Sequence, residues 1–327
     1  MKPYYKGMLA VHLENGAVST REIPIPSRPK GFALLRLLVA GICNTDLELQ
    51  RGYYGFSGIP GHEFVAEVAE ADNPELVGKR VVGEINLACG NCNWCWTRSR
   101  RHCPNRTVLG IKGHPGAFEE YFTLPEGNLH TVPDAIPTNH AVFTEPLAAA
   151  CEILDQCTID SHQSVAVLGD GKLGLLIALA LHARGLKVHH FGHHPDKLRI
   201  SAAAGVLTKR ADWTVPKPEY EWAIDATGKA EGFRRAVAMV EPRGVVIMKS
   251  TIHGAVGVDT APIIVNEITL VGSRCGRMES ALPLLEQGLI PVEKMIAGEF
   301  PLDEAGKAFA RAAERGVLKI LLRPPQM

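Results

Sequence analysis

The segment SVAVLGDGKLGLLIALALHARGLKVHHFG, residues 164–192, limits the fold more than any other stretch of the chain. It reads as an apolar strand, a glycine turn, an apolar helix and a second strand, which together make one βαβ unit. Parallel strands joined by a helix need burial on both faces, so the unit calls for a larger sheet with helices on each side. Material for that sheet follows. YEWAIDATG (220–228), GVVIMKS (244–250) and EITLVGS (267–273) read as strands, and AEGFRRAVAMV (230–240) reads as a helix. HAVFTEPLAAACEILDQ (140–156) spaces its apolar residues for a helix that leads in. Alternating strands and helices predict a parallel, doubly wound sheet over residues 141–274.

The glycine turn carries G-x-G-x-x-G at Gly169, Gly171 and Gly174. Placed between a strand and a helix, this pattern points to a dinucleotide. Gly169 permits the tight turn, Gly171 lets the backbone approach a pyrophosphate, and Gly174 allows close helix packing. Lys172 and Leu173 open the helix, whose free N–H groups face the phosphates. The bland alternative is a glycine-rich turn without a ligand. NAD sites usually end the second strand with an acid that binds the ribose. Here the strand runs into Gly192, followed by His193, His194, Lys197 and Arg199. A missing carboxylate and nearby basic groups favour NADP(H) over NAD(H), unless the histidines merely lie on a solvated loop.

Residues 1–140 have a different texture. Short apolar runs such as FALLRLLVAGI (32–42), FVAEVAEA (64–71) and RVVGEI (80–85) are punctuated by Gly, Pro and Asn, which predicts a β-rich region. NTDLELQRG, after Cys43, reads as a short helix. A chain of 327 residues is too long for one ordinary core, so two domains are expected.

Within the β-rich region, ACGNCNWCWTRSRRHC holds Cys89, Cys92, Cys95 and Cys103 in sixteen residues. Two C-x-x-C steps share their middle cysteine, whereas a redox pair needs only one step beside a βαβ unit. Four thiolates complete a tetrahedral zinc and leave no open position, which makes the site structural. Trp94 and Trp96 beside it are expected to pack the lobe or an oligomer contact. The basic run 98–102 is too small for a nucleic-acid footprint on a chain with 35 basic and 35 acidic residues. No apolar run has the roughly 20 residues of a membrane span. The N-terminal stretch also lacks a signal peptide's apolar core and cleavage site. The expectation is a cytoplasmic protein with reduced thiols and neither nucleic acid nor membrane as partner.

Three dispersed pieces remain: GICNTDLEL with Cys43, Thr45 and Asp46; PGHEF with His62 and Glu63; and FTEPLA with Glu145. No local spacing joins them, and a lone His or Cys is more often packing than ligand. Taken with the cysteine lobe, GAFEEYFTLPEGNLHTVPD, VLGDGKLG, IDATG and FPLDEAGKAF, in this order, they resemble the zinc-dependent medium-chain alcohol dehydrogenases. The chain is most similar to short, polyol- and sugar-dehydrogenase-like members with a Glu-Pro at the domain junction.

The resemblance implies an α/β protein with a GroES-like, β-rich catalytic domain (residues 1–140 together with 275–327) and a Rossmann domain (141–274). It implies that Cys43, His62 and Glu145 bind a catalytic zinc, with Glu63 as the neighbouring carboxylate able to approach or replace a ligand. Thr45 would bond the substrate oxygen and start proton relay, and Asp46 would orient His62. Thr227 of IDATG joins the cofactor contacts. Two zincs per chain, one catalytic and one structural, and a homo-oligomer, dimer or tetramer, follow from the same resemblance. So does oxidation of a secondary alcohol, polyol or related hydroxy compound with NAD(P)⁺. Reduction of an aldehyde or ketone is the alternative within enzymes, and a non-catalytic zinc- and nucleotide-binding redox sensor the alternative outside them. One departure stands out: Glu48 or a neighbour occupies the place of the usual relay histidine.

Overall fold

The computed structural model describes residues 7–97, 100–211, 217–251 and 257–325; Arg98 and Ser99 of the basic run lie outside them. The chain forms two compact units, Met1–Glu145 with Met295–Met327 and Pro146–Lys294.

The first unit is built on a seven-stranded sheet. Its central strand, Phe32–Gly41, pairs antiparallel with Glu63–Glu70 on one side and with Tyr121–Pro125 and Lys319–Arg323 on the other. Most of that strand is buried, which explains its near-continuous apolar run in place of a two-residue alternation. Phe64 and Phe122 meet edge to face across it with ring centroids 4.9 Å apart. The C-terminal run VLKILLR supplies Lys319–Arg323, whose Leu321 pairs with Gly41. Asn15 and Gly16 both have positive φ and close the hairpin of Met8–Glu14 with Ala17–Ile23, as an Asn-Gly turn does.

The second unit holds a six-stranded, all-parallel sheet. Its spatial order is Leu207–Arg210, Lys187–Gly192, Ser164–Leu168, Tyr220–Asp225, Val240–Met248, Thr269–Gly272. The first strand in sequence thus lies inside the sheet and the chain winds outward in both directions, the doubly wound order of a Rossmann fold. The helix Lys172–Ala183 buries Gly174 through Leu181 without interruption, which is why its sequence is apolar all round.

The second unit runs to Lys294 and includes the helix Met278–Glu286. The reason is local pairing. Arg277 Nε and Nη2 donate to Asp155 at 3.2 and 3.1 Å, and Ser280 Oγ adds a third bond to the same carboxylate. Those contacts fasten the helix start to Thr144–Gln156. The junction helix is also interrupted: Thr138–Ala141 and Thr144–Gln156 are separate. Among the described residues, no helix is long and apolar enough to cross a membrane.

Candidate metal centre and dinucleotide turn

The register of one strand pair assembles the first candidate site. Gly41 stands opposite Glu63 in the ladder between Phe32–Gly41 and Glu63–Glu70. Cys43 lies two residues beyond one end and His62 one residue before the other, so pairing brings two distant segments together. Donor atoms of Cys43, His62 and Glu63 come within 4.8 Å of one another. Cys43 then caps the helix Asn44–Gln50, which turns Asp46 back toward the site. The Asp46 carboxylate is fully buried and accepts the Cys43 N–H at 2.8 Å and the Gly61 N–H at 3.2 Å. Its Oδ1 faces His62 Nδ1 at 3.4 Å.

His62 Nδ1 is buried and makes no hydrogen bond to the described residues, with the Asp46 carboxylate facing it. A carboxylate in that place suits the role of a group standing behind a metal-binding histidine. Burial pushes the His62 pKa down, but the charges of Asp46 and Cys43 outweigh it and the net shift is upward. Gly61 has a φ of +102°, and a Cβ there would meet the Phe118 ring at 2.3 Å, so the turn into His62 requires glycine. Thr45 Oγ1 lies 3.8 Å from Cys43 Sγ in hydrogen-bond geometry.

One residue escaped the sequence reading. Lys319 is 1% exposed and its Nζ donates to Glu63 Oε2, with Glu63 equally buried. Burial opposes the Lys319 charge, but Glu63 and Cys43 hold its pKa above the usual value. Its ammonium also lies 5.7 Å from the Phe143 ring centroid. A Cβ on Gly41 would sit 2.6 Å from Glu63 Oε2 and 3.2 Å from Lys319 Cδ, so glycine leaves room for the ion pair. The available signal was a lysine inside the apolar run VLKILL, because a charge on a buried strand must find a partner.

Glu145 is half-buried in the first turn of Thr144–Gln156 and stands outside the close group of Cys43, His62 and Glu63. Glu48 bonds Arg51 at 2.5 Å on the exposed side of its helix. Tyr53 and Tyr54 meet with ring centroids 4.0 Å apart, tilted by 37°.

The cysteine lobe forms a second donor set. Four Sγ–Sγ separations are 3.5, 3.5, 3.7 and 3.8 Å. Zn–S bonds of about 2.3 Å give a tetrahedron with edges of about 3.8 Å, whereas a disulfide requires about 2.05 Å. The four thiols therefore fit one zinc and are not paired as disulfides in this arrangement. The short helix Asn93–Trp96 begins at Cys92 and carries Cys95, whose N–H bonds Cys92 O at 2.9 Å. Trp94 and Trp96 do not pack the lobe; they are 49% and 71% exposed.

In the second unit, Gly169 has a φ of +113°, and a Cβ on Gly174 would lie 1.8 Å from Gly169 O. Both glycines are thus required by the turn itself. Gly171 caps the helix Lys172–Ala183, and a Cβ there would have nothing within 4 Å, so the space over the turn is open to a ligand. His190 is fully buried and bonds Gly169 O at 2.9 Å through Nε2 and Ser201 Oγ at 2.8 Å through Nδ1, buttressing the turn. Thr227 has its hydroxyl tied to Asp225 Oδ1 at 2.7 Å. His193 is exposed, Lys197 half-buried, and His194 bonds Asp170, a residue the sequence reading passed over.

The β-rich unit, the doubly wound sheet and the two donor sets are the parts that the resemblance in the sequence calls for. Comparison with known proteins agrees. Residues 29–134 match the alcohol dehydrogenase GroES-like domain. Erythritol/L-threitol dehydrogenase of Mycolicibacterium smegmatis is 28% identical, over 93% of both chains. Sorbitol dehydrogenase of Halalkalibacterium halodurans is 26% identical, over 98% of this chain and 99% of that one. A protein described as a zinc-binding dehydrogenase from Sinorhizobium meliloti 1021, solved bound to NADP, superposes with a TM-score of 0.88 at 26% identity, covering 98% of this chain and all of that one. The chain is thus similar over nearly its whole length to zinc-type medium-chain alcohol dehydrogenases.

Proposed function

We propose that the protein is a zinc-dependent oxidoreductase that transfers hydride between NAD(P)⁺ and a secondary alcohol, polyol or related hydroxy compound. The observation that carries this reading is the convergence of Cys43, His62 and Glu63 donor atoms within 4.8 Å. The polyol dehydrogenases among the relatives support the substrate class. Zinc held there supplies a Lewis acid that lowers the alcohol's pKa, and the dinucleotide held at Gly169–Gly174 supplies the hydride acceptor.

The chain's own residues set the geometry for that chemistry. Cys43 and His62 would hold the metal, with Glu145 as the third ligand that the resemblance implies and Glu63, whose donor atom lies in the close group, as the carboxylate able to approach or replace a ligand. A set of three protein donors would let such a metal take the substrate oxygen. Lys319 stabilises Glu63 whenever its carboxylate is not a ligand. Asp46 holds the His62 ring and the Cys43 backbone in one arrangement, which limits motion at the reacting end. Thr45 takes the substrate's hydroxyl proton and passes it outward. Glu48, engaged with Arg51, faces solvent and receives it by way of water. The second zinc belongs to the closed cysteine lobe. A cytoplasmic setting, where thiols stay reduced, suits a lobe that needs four thiolates for its metal. A homo-oligomer is part of the same reading.

The test combines zinc counting with a panel of polyols and secondary alcohols, following formation of reduced nicotinamide. Cys43→Ala is expected to lower kcat/KM by at least about 10³-fold, the several kcal/mol that a Lewis acid contributes. It should keep the lobe zinc and the fold. Full turnover in Cys43→Ala would show that this centre is not catalytic.

A further inference from the structure

The missing acid at the end of the second strand has a substitute. Gly192 ends Lys187–Gly192, and a Cβ there would lie 2.5 Å from Asp170 Cβ and 2.6 Å from Asp170 Oδ2. The Asp170 side chain therefore occupies the space that any side chain at 192 would enter. Asp170 comes from the middle of the glycine turn, between Gly169 and Gly171. Strand-end glycine and turn aspartate are two halves of one arrangement, since the carboxylate can lie there only because 192 has no Cβ.

The carboxylate is held firmly. The His194 N–H donates to Oδ2 at 2.6 Å, and the His194 Nδ1–H points between the two oxygens at 3.1 and 3.0 Å. Burial raises the Asp170 pKa, yet the bonds from His194 outweigh it and keep the group ionised. A tenth of the side chain stays exposed. The same contacts remove basic groups from the site. His194 is committed to Asp170, and Arg199 reaches Asp196 at 3.0 Å on an exposed helix face. Of the basic cluster read as a 2′-phosphate site, two members are engaged elsewhere.

We infer that Asp170 stands in for the strand-end acid, binds the adenosine ribose hydroxyls and makes the chain select NAD(H) over NADP(H). The inference rests on the dinucleotide reading above and reverses the preference drawn from Gly192 alone. Each carboxylate oxygen keeps acceptor capacity beyond its bonds to His194, enough for a ribose hydroxyl. A 2′-phosphate at that place would set like charges against each other.

The experiment is direct binding, without turnover. NADH and NADPH are titrated into the zinc-loaded protein by fluorescence and calorimetry. The wild-type chain should bind NADH at least about ten-fold more tightly than NADPH, because juxtaposed like charges disfavour the wrong partner. Asp170→Asn, checked for folding by circular dichroism, should shrink that ratio to near unity by weakening NADH and strengthening NADPH. Equal or tighter NADPH binding by the wild type overturns the inference while leaving the dehydrogenase reading intact. An unchanged ratio in folded Asp170→Asn overturns it as well. Should Asp170→Asn fail to fold, the wild-type ratio decides alone. Failure of both nucleotides to bind would overturn the dinucleotide site itself and this inference with it.

Discussion

The cysteine lobe and the Cys43 centre lie in the same unit and use overlapping chemistry, yet they are built in opposite ways. The lobe takes all four donors from residues 89–103, and its sulfurs meet with little help from the sheet. The donors are identical and fill every coordination position, so the site can hold structure but cannot take a substrate. The second centre takes its donors from both ends of a strand pair, mixes sulfur, nitrogen and oxygen, and surrounds them with buried charge. Among the described residues of 88–106, no charged side chain is buried as Asp46 and Lys319 are. A local loop is enough for a structural site. A reactive site needs partners from several elements, because open coordination and buried charges must be held in place by groups that do not bind the metal.

The contrast can be broken in three ways. The largest effect is expected at the lobe. Cys103→Ala leaves an incomplete sulfur set, and structural zinc contributes about 10 kcal/mol or more of apparent binding energy. The variant should lose the lobe zinc and several kcal/mol of stability, read by elemental analysis and denaturant unfolding, while the other centre keeps its metal. Loss of both metals together would show that the two sites are not independent.

The next effect concerns Lys319. Lys319→Met leaves Glu63 buried without its cation and should destabilise the protein by about 3–5 kcal/mol. Adding Glu63→Gln should recover most of that loss, since a neutral amide needs no counter-ion. Unfolding of the two single variants and the double variant makes the cycle. A single variant as stable as the wild type would mean that the ion pair contributes only geometry.

The smallest effect is in pH dependence. His62 has its pKa raised above the usual 6.5. Without metal, the charged ring favours the fold at low pH, and that contribution is lost as pH rises through the raised value. Zinc requires the neutral ring, so its affinity at this centre should fall by about ten-fold per pH unit below the same value. Competition with a chelating dye over pH measures it. The lobe has no imidazole donor, and its profile should lack that inflection.

Much of the architecture is legible in the sequence for physical reasons. The stretch 164–192 states its strand, turn and helix in consecutive residues, and the structure realises them as Ser164–Leu168, Lys172–Ala183 and Lys187–Gly192. Helix Met278–Glu286 is equally plain as a helix, but its place in the second unit is not, because Arg277 and Asp155 are 122 positions apart. Lys319 carries only the oddity of a charge in an apolar run. Its partner Glu63 is 256 positions away. Asp170 was hidden by its glycine neighbours, whose pattern draws attention to the backbone and away from the side chain between them.

The sequence by itself determined the parallel sheet, the phosphate turn and the sulfur set of the lobe, since each depends on spacing within one short segment. Only the tertiary structure decided that Asp46 stands behind both Cys43 and His62, that Lys319 neutralises Glu63, and that the Asp170 carboxylate lies over Gly192. Those are contacts between segments far apart in the chain. Strand register and the room left by a missing Cβ set them, and neither is written in any single stretch.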